Sequence, residues 1–119
     1  HHREVEAWFV LEGRLRFQVG DATVEAGPGT FVMVRRGQVH SFVNPGPGPA
    51  RTLVMLWPAG FEEFFAELGE PASGAGLPPI PPGPPDVARL VEVGRRYGLE
   101  LVPPDHPSPE PKQRPSGES

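Results

Sequence analysis

The sequence predicts an all-β barrel or sandwich followed by two short helices. Apolar and β-branched runs recur at short intervals, broken by glycine, proline and aspartate. Dense apolar periodicity stops before Pro58, and 13 of the 18 prolines lie at or after Pro71. The first half of the 119 residues therefore has to carry the core. A chain of this length fits one domain, since domains commonly hold roughly 100–150 residues.

The first strand runs through Glu6-Ala7-Trp8-Phe9-Val10-Leu11 and ends at Gly13. Arg14 to Val19 alternates strictly, with Leu15, Phe17 and Val19 on one face and polar side chains on the other. Gly20-Asp21 turns the chain into Ala22–Ala26, and Gly27-Pro28-Gly29 into Thr30–Val34. Arg35-Arg36-Gly37 bends it before His40–Asn44. Pro45 to Pro49 forms a rigid loop, because proline fixes φ and lacks the donor a sheet ladder needs. Arg51–Trp57 is the last strand of the set.

Beyond Pro58 the period changes to that of a helix, with Phe61, Phe64, Phe65 and Leu68 on one face and Glu62 and Glu63 in the first turn. That aromatic face is expected to cap one end of the barrel. A Pro/Gly linker follows, in which Leu77 and Ile80 are expected to dock onto the barrel. Asp86 caps a second helix, Val87–Tyr97, with Leu90 and Val91 inward, and Gly98 ends it. Leu99–Val102 is expected to add an edge strand, and the residues from Pro103 onward have the composition of a disordered tail. The expected division is a barrel core over 1–58, a capping helix over 59–69, a linker over 70–85, a helix with edge strand over 86–102, and the tail over 103–119.

The net charge is −4 and lysines and arginines are scattered, so no basic stripe is present to neutralise nucleic-acid phosphates. No apolar run approaches the roughly 20 residues that span a bilayer. With no cysteine there is neither a disulfide nor a thiolate metal site. This fits a reducing compartment, and the expected location is cytoplasmic. Because the chain enters directly on a strand, further strands are expected upstream.

Two clusters carry chemistry: His1-His2-Arg3-Glu4-Val5-Glu6, leading into Val10-Leu11-Glu12-Gly13, and Gly29-x5-Arg35-Arg36-Gly37-x2-His40-x3-Asn44. Alternation puts Glu6 and Trp8 on one face, and His40, Phe42 and Asn44 on another. If Glu6 and His40 point inward from neighbouring strands, a carboxylate and an imidazole meet inside the barrel. A histidine from the start of the first strand would complete a 2-His-1-carboxylate site with open positions. Strand parity favours His2 for that place. Arg35 and Arg36 lie at a turn near His40, where solvated arginines are the common outcome.

These clusters resemble the two motifs of the cupin superfamily, G-x5-H-x-H-x(3,4)-E-x6-G and G-x5-P-x-G-x2-H-x3-N. Glu6 and Gly13 fit the end of the first, while Gly29, Gly37, His40 and Asn44 fit the second, with Arg35 in place of its proline. The resemblance covers residues 1 to 44, and the strand pattern extends it to about Trp57. It implies a jelly-roll-like cupin barrel of the small, quercetinase-like kind. The family's spacing selects His1 as ligand, with His2 as the alternate, and puts the first histidine of H-x-H upstream.

The resemblance further implies one divalent transition metal, Fe, Mn, Ni, Co or Zn, held by His1, Glu6 and His40, with Glu6 doubling as a catalytic base. Gly13, Gly29, Gly37 and Asn44 are then structural motif residues. Trp8, Met33, Phe42, Met55 and Trp57 are pocket candidates, although each is also a natural core residue. The function expected is a metal-dependent dioxygenase of a small organic substrate. Its rivals are a non-catalytic binding or sensing barrel and a metal-free structural one, because this fold hosts many activities. The expected partner is a small molecule, with neither nucleic acid nor membrane, and an open barrel edge allows a homodimer.

Overall fold

The computed structural model describes residues 1–103. Six strands form in chain order: β1 (Val5–Glu12), β2 (Leu15–Val19), β3 (Ala22–Ala26), β4 (Phe31–Val34), β5 (His40–Val43) and β6 (Arg51–Trp57). They build two antiparallel three-stranded sheets, β4-β1-β6 and β3-β2-β5, which share one apolar core. Two helices follow, α1 (Glu62–Leu68) and α2 (Val87–Arg96).

Each sheet buries one face against the other. From β1, Trp8 and Val10 point inward, flanked by Val32 and Val34 of β4; from β2 come Leu15 and Phe17, with Ala26 of β3. Trp8 and Phe17 meet across the gap in a tilted arrangement with ring centroids 5.2 Å apart. The reversal between β1 and β2 depends on Gly13, whose φ is +72°. A Cβ there would lie 2.4 Å from the carbonyl oxygen of Pro49, so the crossing of these two segments admits no side chain.

The helices form a second apolar cluster of Phe61, Phe64 and Val93, joined by Leu56 of β6, Leu68, Leu90, Tyr97 and Leu99. The sequence stripe overstates this face: Phe65, one helical position past Phe64, is exposed. Asp86 caps α2 through its Oδ1, which accepts from the Arg89 amide at 3.0 Å, and Gly98 follows the helix with φ +75°.

Two expectations are corrected. Leu99–Val102 forms no strand; the Leu99 amide instead donates to the Gly94 carbonyl at 2.8 Å, folding the segment back onto α2. Leu77 and Ile80 do not dock, being 98% and 94% exposed, because the prolines around them hold that segment away from the sheets. Apart from Pro103, the expected tail lies outside the described residues. Among the described residues, no helix is long and apolar enough to cross a membrane.

Candidate metal centre

Glu6 and His40 approach each other from facing sheets rather than from neighbouring strands. Glu6 lies on β1, on the inward face it shares with Trp8. His40 opens β5 opposite Val19, on the inward face it shares with Phe42. His1 precedes β1 and is held by its backbone: its carbonyl accepts from the Gly37 amide at 2.7 Å, within the turn that leads to His40. Gly37 makes that turn with φ +76°, a conformation open to glycine at little cost. On the other side the His2 amide donates to the Gly98 carbonyl at 2.8 Å, and the Arg36 Nε donates to the Arg3 carbonyl at 2.7 Å. The chain start is thus pinned between the β4–β5 turn and the end of α2.

The result is a compact triad. His1 Nε2 lies 2.9 Å from Glu6 Oε2, and His40 Nε2 lies 3.1 Å from the same oxygen. The side chains of His1, Glu6 and His40 are only 7%, 12% and 14% exposed. The edge of Phe61 meets the His1 ring at 4.5 Å between centroids, and Trp8 meets the His40 ring at 5.4 Å.

Hydrogen-bond logic fixes the protons. A backbone carbonyl only accepts, so His40 Nδ1–H donates to the Gln38 oxygen at 3.0 Å. A carboxylate also only accepts, so a hydrogen bond from Nε2 to Glu6 in the ion-free state needs a proton there as well, which favours the imidazolium form of His40. Both histidines are accordingly raised above their ordinary value. The Glu6 hydrogen bond is the main cause in each, and burial works against it. For Glu6, burial pushes the carboxyl upward, but the hydrogen bonds from His1 and His40 prevail and hold it at about 2.

The same three atoms make a donor set for a metal ion. One nitrogen from each imidazole and one carboxylate oxygen all lie within 4.8 Å of one another. Two donors bound at right angles, each about 2.1 Å from one ion, sit about 3 Å apart. That matches the two nitrogen–oxygen separations, so protons and a cation compete for one arrangement of ligands.

His2 is outside this centre. Its side chain is exposed and pairs with Glu100 at 3.0 Å. Parity misleads here because β1 begins only at Val5, so His2 is not part of the alternating strand. Of the pocket candidates, Trp8 is buried against the His40 ring, and Phe42 packs on Trp8 with ring centroids 5.8 Å apart while staying about half exposed. Met33, Met55 and Trp57 are elsewhere: Met33 and Met55 pair with Ala7 and Trp57 with Val5, which puts all three on the sheet face turned away from Glu6. Asn44 braces the loop after β5, donating to the Gly48 carbonyl at 2.9 Å and accepting from the Gly46 amide at 2.8 Å. Gly29, in the turn before β4, donates its amide to the Val10 carbonyl at 2.8 Å.

Two further residues belong to the site. Glu4 is buried, and its Oε2 faces His1 Nδ1 at 3.4 Å; neither atom has a hydrogen-bond partner. Its spacing of two from Glu6 was the available signal. Phe61, which closes on His1, carried no signal beyond its place in the helical stripe.

A cupin-domain family model matches residues 1–56. Over 78 residues, 66% of the chain, the sequence is 30% identical to the quercetin 2,3-dioxygenase of Bacillus subtilis (strain 168), and the match covers 23% of that protein. The chain thus spans under a quarter of the length of this curated relative. The cupin domain of Schizosaccharomyces pombe Cnp3 is similar in structure, with a TM-score of 0.45 and 19% identity, over 57% of this chain and 50% of that one.

Proposed function

Because this chain is a member of the cupin superfamily, we propose that it binds one divalent transition metal through His1, Glu6 and His40 and oxidises a small organic substrate with dioxygen. The observation that carries the reading is the convergence of two imidazole Nε2 atoms on one buried carboxylate oxygen. The dioxygenase part draws on the similarity to a quercetin 2,3-dioxygenase. When bound, such an ion supplies Lewis-acid or redox chemistry at positions the protein leaves open.

The residues divide the remaining work. The Gln38 carbonyl holds the Nδ1 proton of His40 and so aims Nε2 at the centre. Glu4 Oε2 faces His1 Nδ1 at 3.4 Å without a hydrogen bond between them, which places a carboxylate beside that nitrogen. Trp8 and Phe61 set aromatic surface against the His40 and His1 rings, which limits water near the ligands. Glu6 acts as a ligand before it acts as a base. A carboxylate held at about 2 takes up protons poorly, so a base role requires its release from the histidines.

A metal-free barrel is the second reading, because the triad satisfies itself through its own ion pairs. Elemental analysis of the purified chain decides between them. The proposal expects about one transition metal per chain, lost on His40→Ala with the β-sheet circular dichroism unchanged. Absence of metal after incubation with each candidate ion, or full occupancy in His40→Ala, rejects the assignment. Oxygen uptake with flavonols, diketones and small acids then tests turnover, and binding without uptake would leave a sensing barrel.

A further inference from the structure

The connection between the two helices is longer than its ends require. Arg89, in the first turn of α2, donates from Nη2 to the carbonyl of Glu67, in the last turn of α1, at 3.2 Å. Tyr97 Oη donates to Glu67 Oε2 at 2.9 Å, and Arg96 pairs with the same carboxylate. Helices that touch in this way are commonly joined by roughly 2–8 residues. Here the chain leaves α1 at Gly69 and enters α2 only after Asp86, and every residue from 69 to 86 is exposed. A spacer holds two parts away from each other, and these two parts are in contact.

The excursion carries a pattern. Leu77-Pro78-Pro79-Ile80-Pro81-Pro82-Gly83-Pro84-Pro85 repeats one residue and two prolines three times. Proline fixes its own φ and drives the residue before it to extended backbone, so this stretch is set in polyproline II. Between bends at Leu77 and at Pro82-Gly83 the chain runs straight. With three residues per turn, Leu77 and Ile80 share one edge and Pro78 and Pro81 another, each pair about 9 Å apart along the axis. Leu77 and Ile80 touch nothing of the fold, being 98% and 94% exposed.

From these observations we infer that residues 77–82 are a ligand segment, read by a second protein through a groove lined with aromatic side chains. Three considerations select that partner class. Polyproline II has its shape set in advance and its carbonyls free, so docking it orders little that was mobile. The P-x-x-P spacing, with an aliphatic residue ahead of each proline pair, supplies the ridges that lie between aromatic rings. Charge narrows the class further. Residues 69–86 hold no lysine or arginine, and of their two acids Asp86 is engaged in capping α2. The groove therefore reads apolar ridges and backbone carbonyls, with no acidic pocket for a basic side chain. The inference stands independently of the metal reading.

The test is titration of the whole chain into isotope-labelled SH3, WW and EVH1 domains, whose aromatic grooves read polyproline II, followed by NMR. At least one should bind with a dissociation constant at or below roughly 100 μM, its shifts confined to the groove. Leu77→Ser with Ile80→Ser should weaken that binding at least 10-fold and leave the melting temperature unchanged, because neither side chain touches the core. Pro78→Gly with Pro81→Gly keeps both aliphatic side chains but frees the backbone, and should also weaken binding at least 10-fold. Absence of binding by all three domains overturns the proposal. Binding that survives both double variants overturns it too, and assigns the contact to another proline-rich stretch such as the residues after Pro103. Loss in the serine variant alone reduces the segment to apolar contact without a fixed backbone, and rejects the reading as well.

Discussion

The two sheets share one core but differ in what they show the outside. In β3-β2-β5, strand β2 alternates: Leu15, Phe17 and Val19 face inward, while Arg16 and Gln18 meet Glu25 and Thr23 on the solvent side. In β4-β1-β6 the central strand is apolar on both sides of the sheet from Ala7 to Val10. Alternation is what a sheet with one wet face requires, and a continuous apolar run is what a sheet covered on both faces requires. The inward faces of the two sheets do equivalent work. The outward faces do not, and the candidate metal centre joins the sheets where Glu6 of one meets His40 of the other.

The equivalence of the inward faces is the claim with the largest expected effect. Trp8→Ala and Phe17→Ala each remove a fully buried ring from the common core. Each should cost about 3–5 kcal/mol, measured by urea unfolding. A loss below ~1 kcal/mol in either would mean that one sheet does not need the other.

A metal that bridges the sheets should tie them together. Saturating zinc at one hundred times its dissociation constant should stabilise the chain by about 2.7 kcal/mol, seen as a rise in melting temperature that His40→Ala abolishes. The pH dependence then takes opposite signs with and without metal. In the ion-free state the raised histidines stabilise the fold fully below 6.5, and that contribution is lost as pH rises through their elevated values. The depressed Glu6 contributes above 4.5 and is lost as pH falls toward about 2. The triad is therefore strongest between 4.5 and 6.5 without metal. Metal needs both Nε2 lone pairs, so its affinity should already fall at pH values above 6.5 as acid is added. Melting curves from pH 6 to 8, in chelator and in excess zinc, should move in opposite directions; parallel trends would contradict histidine ligation.

Glu4 has a smaller and more specific effect. If its carboxylate orients His1, Glu4→Ala should weaken metal binding by about 10–100-fold, while Glu4→Gln, which keeps an acceptor oxygen, should recover part of the loss. Competition with a colorimetric chelator reads the affinity, and ring-nitrogen NMR of His1 reads whether the proton stays on Nδ1. An unchanged affinity in Glu4→Ala would make the residue merely buried.

Much of this architecture was legible in the residues. All six strands fall within a few residues of their expected limits, because glycine and proline punctuate a clear period of two. The spacing of His1, Glu6 and His40 marked the three residues that the fold brings together. What escaped had physical causes. His2 was favoured by parity, but the segment before Val5 is not a strand. Met33, Met55 and Trp57 were apolar on a sheet apolar on both sides, where residue type cannot tell the inner face from the outer and only register can. Leu77 and Ile80 looked like anchors, yet the prolines around them keep the segment off the barrel.

The smallest predicted effect bears most directly on the contrast between the outer faces. Arg16 and Glu25 form an ion pair in which both side chains are about half exposed. Such a pair gains little in water, so Arg16→Ala should change stability by about 0.2–1 kcal/mol, less still at high salt. Leu53→Ser on β6 offers the matching test. It removes a side chain that is already half exposed, so it should be similarly mild in urea unfolding, about 0.5 kcal/mol. A cost as large as that of Trp8→Ala would mean that the outward face of β4-β1-β6 is packed as the inward one is.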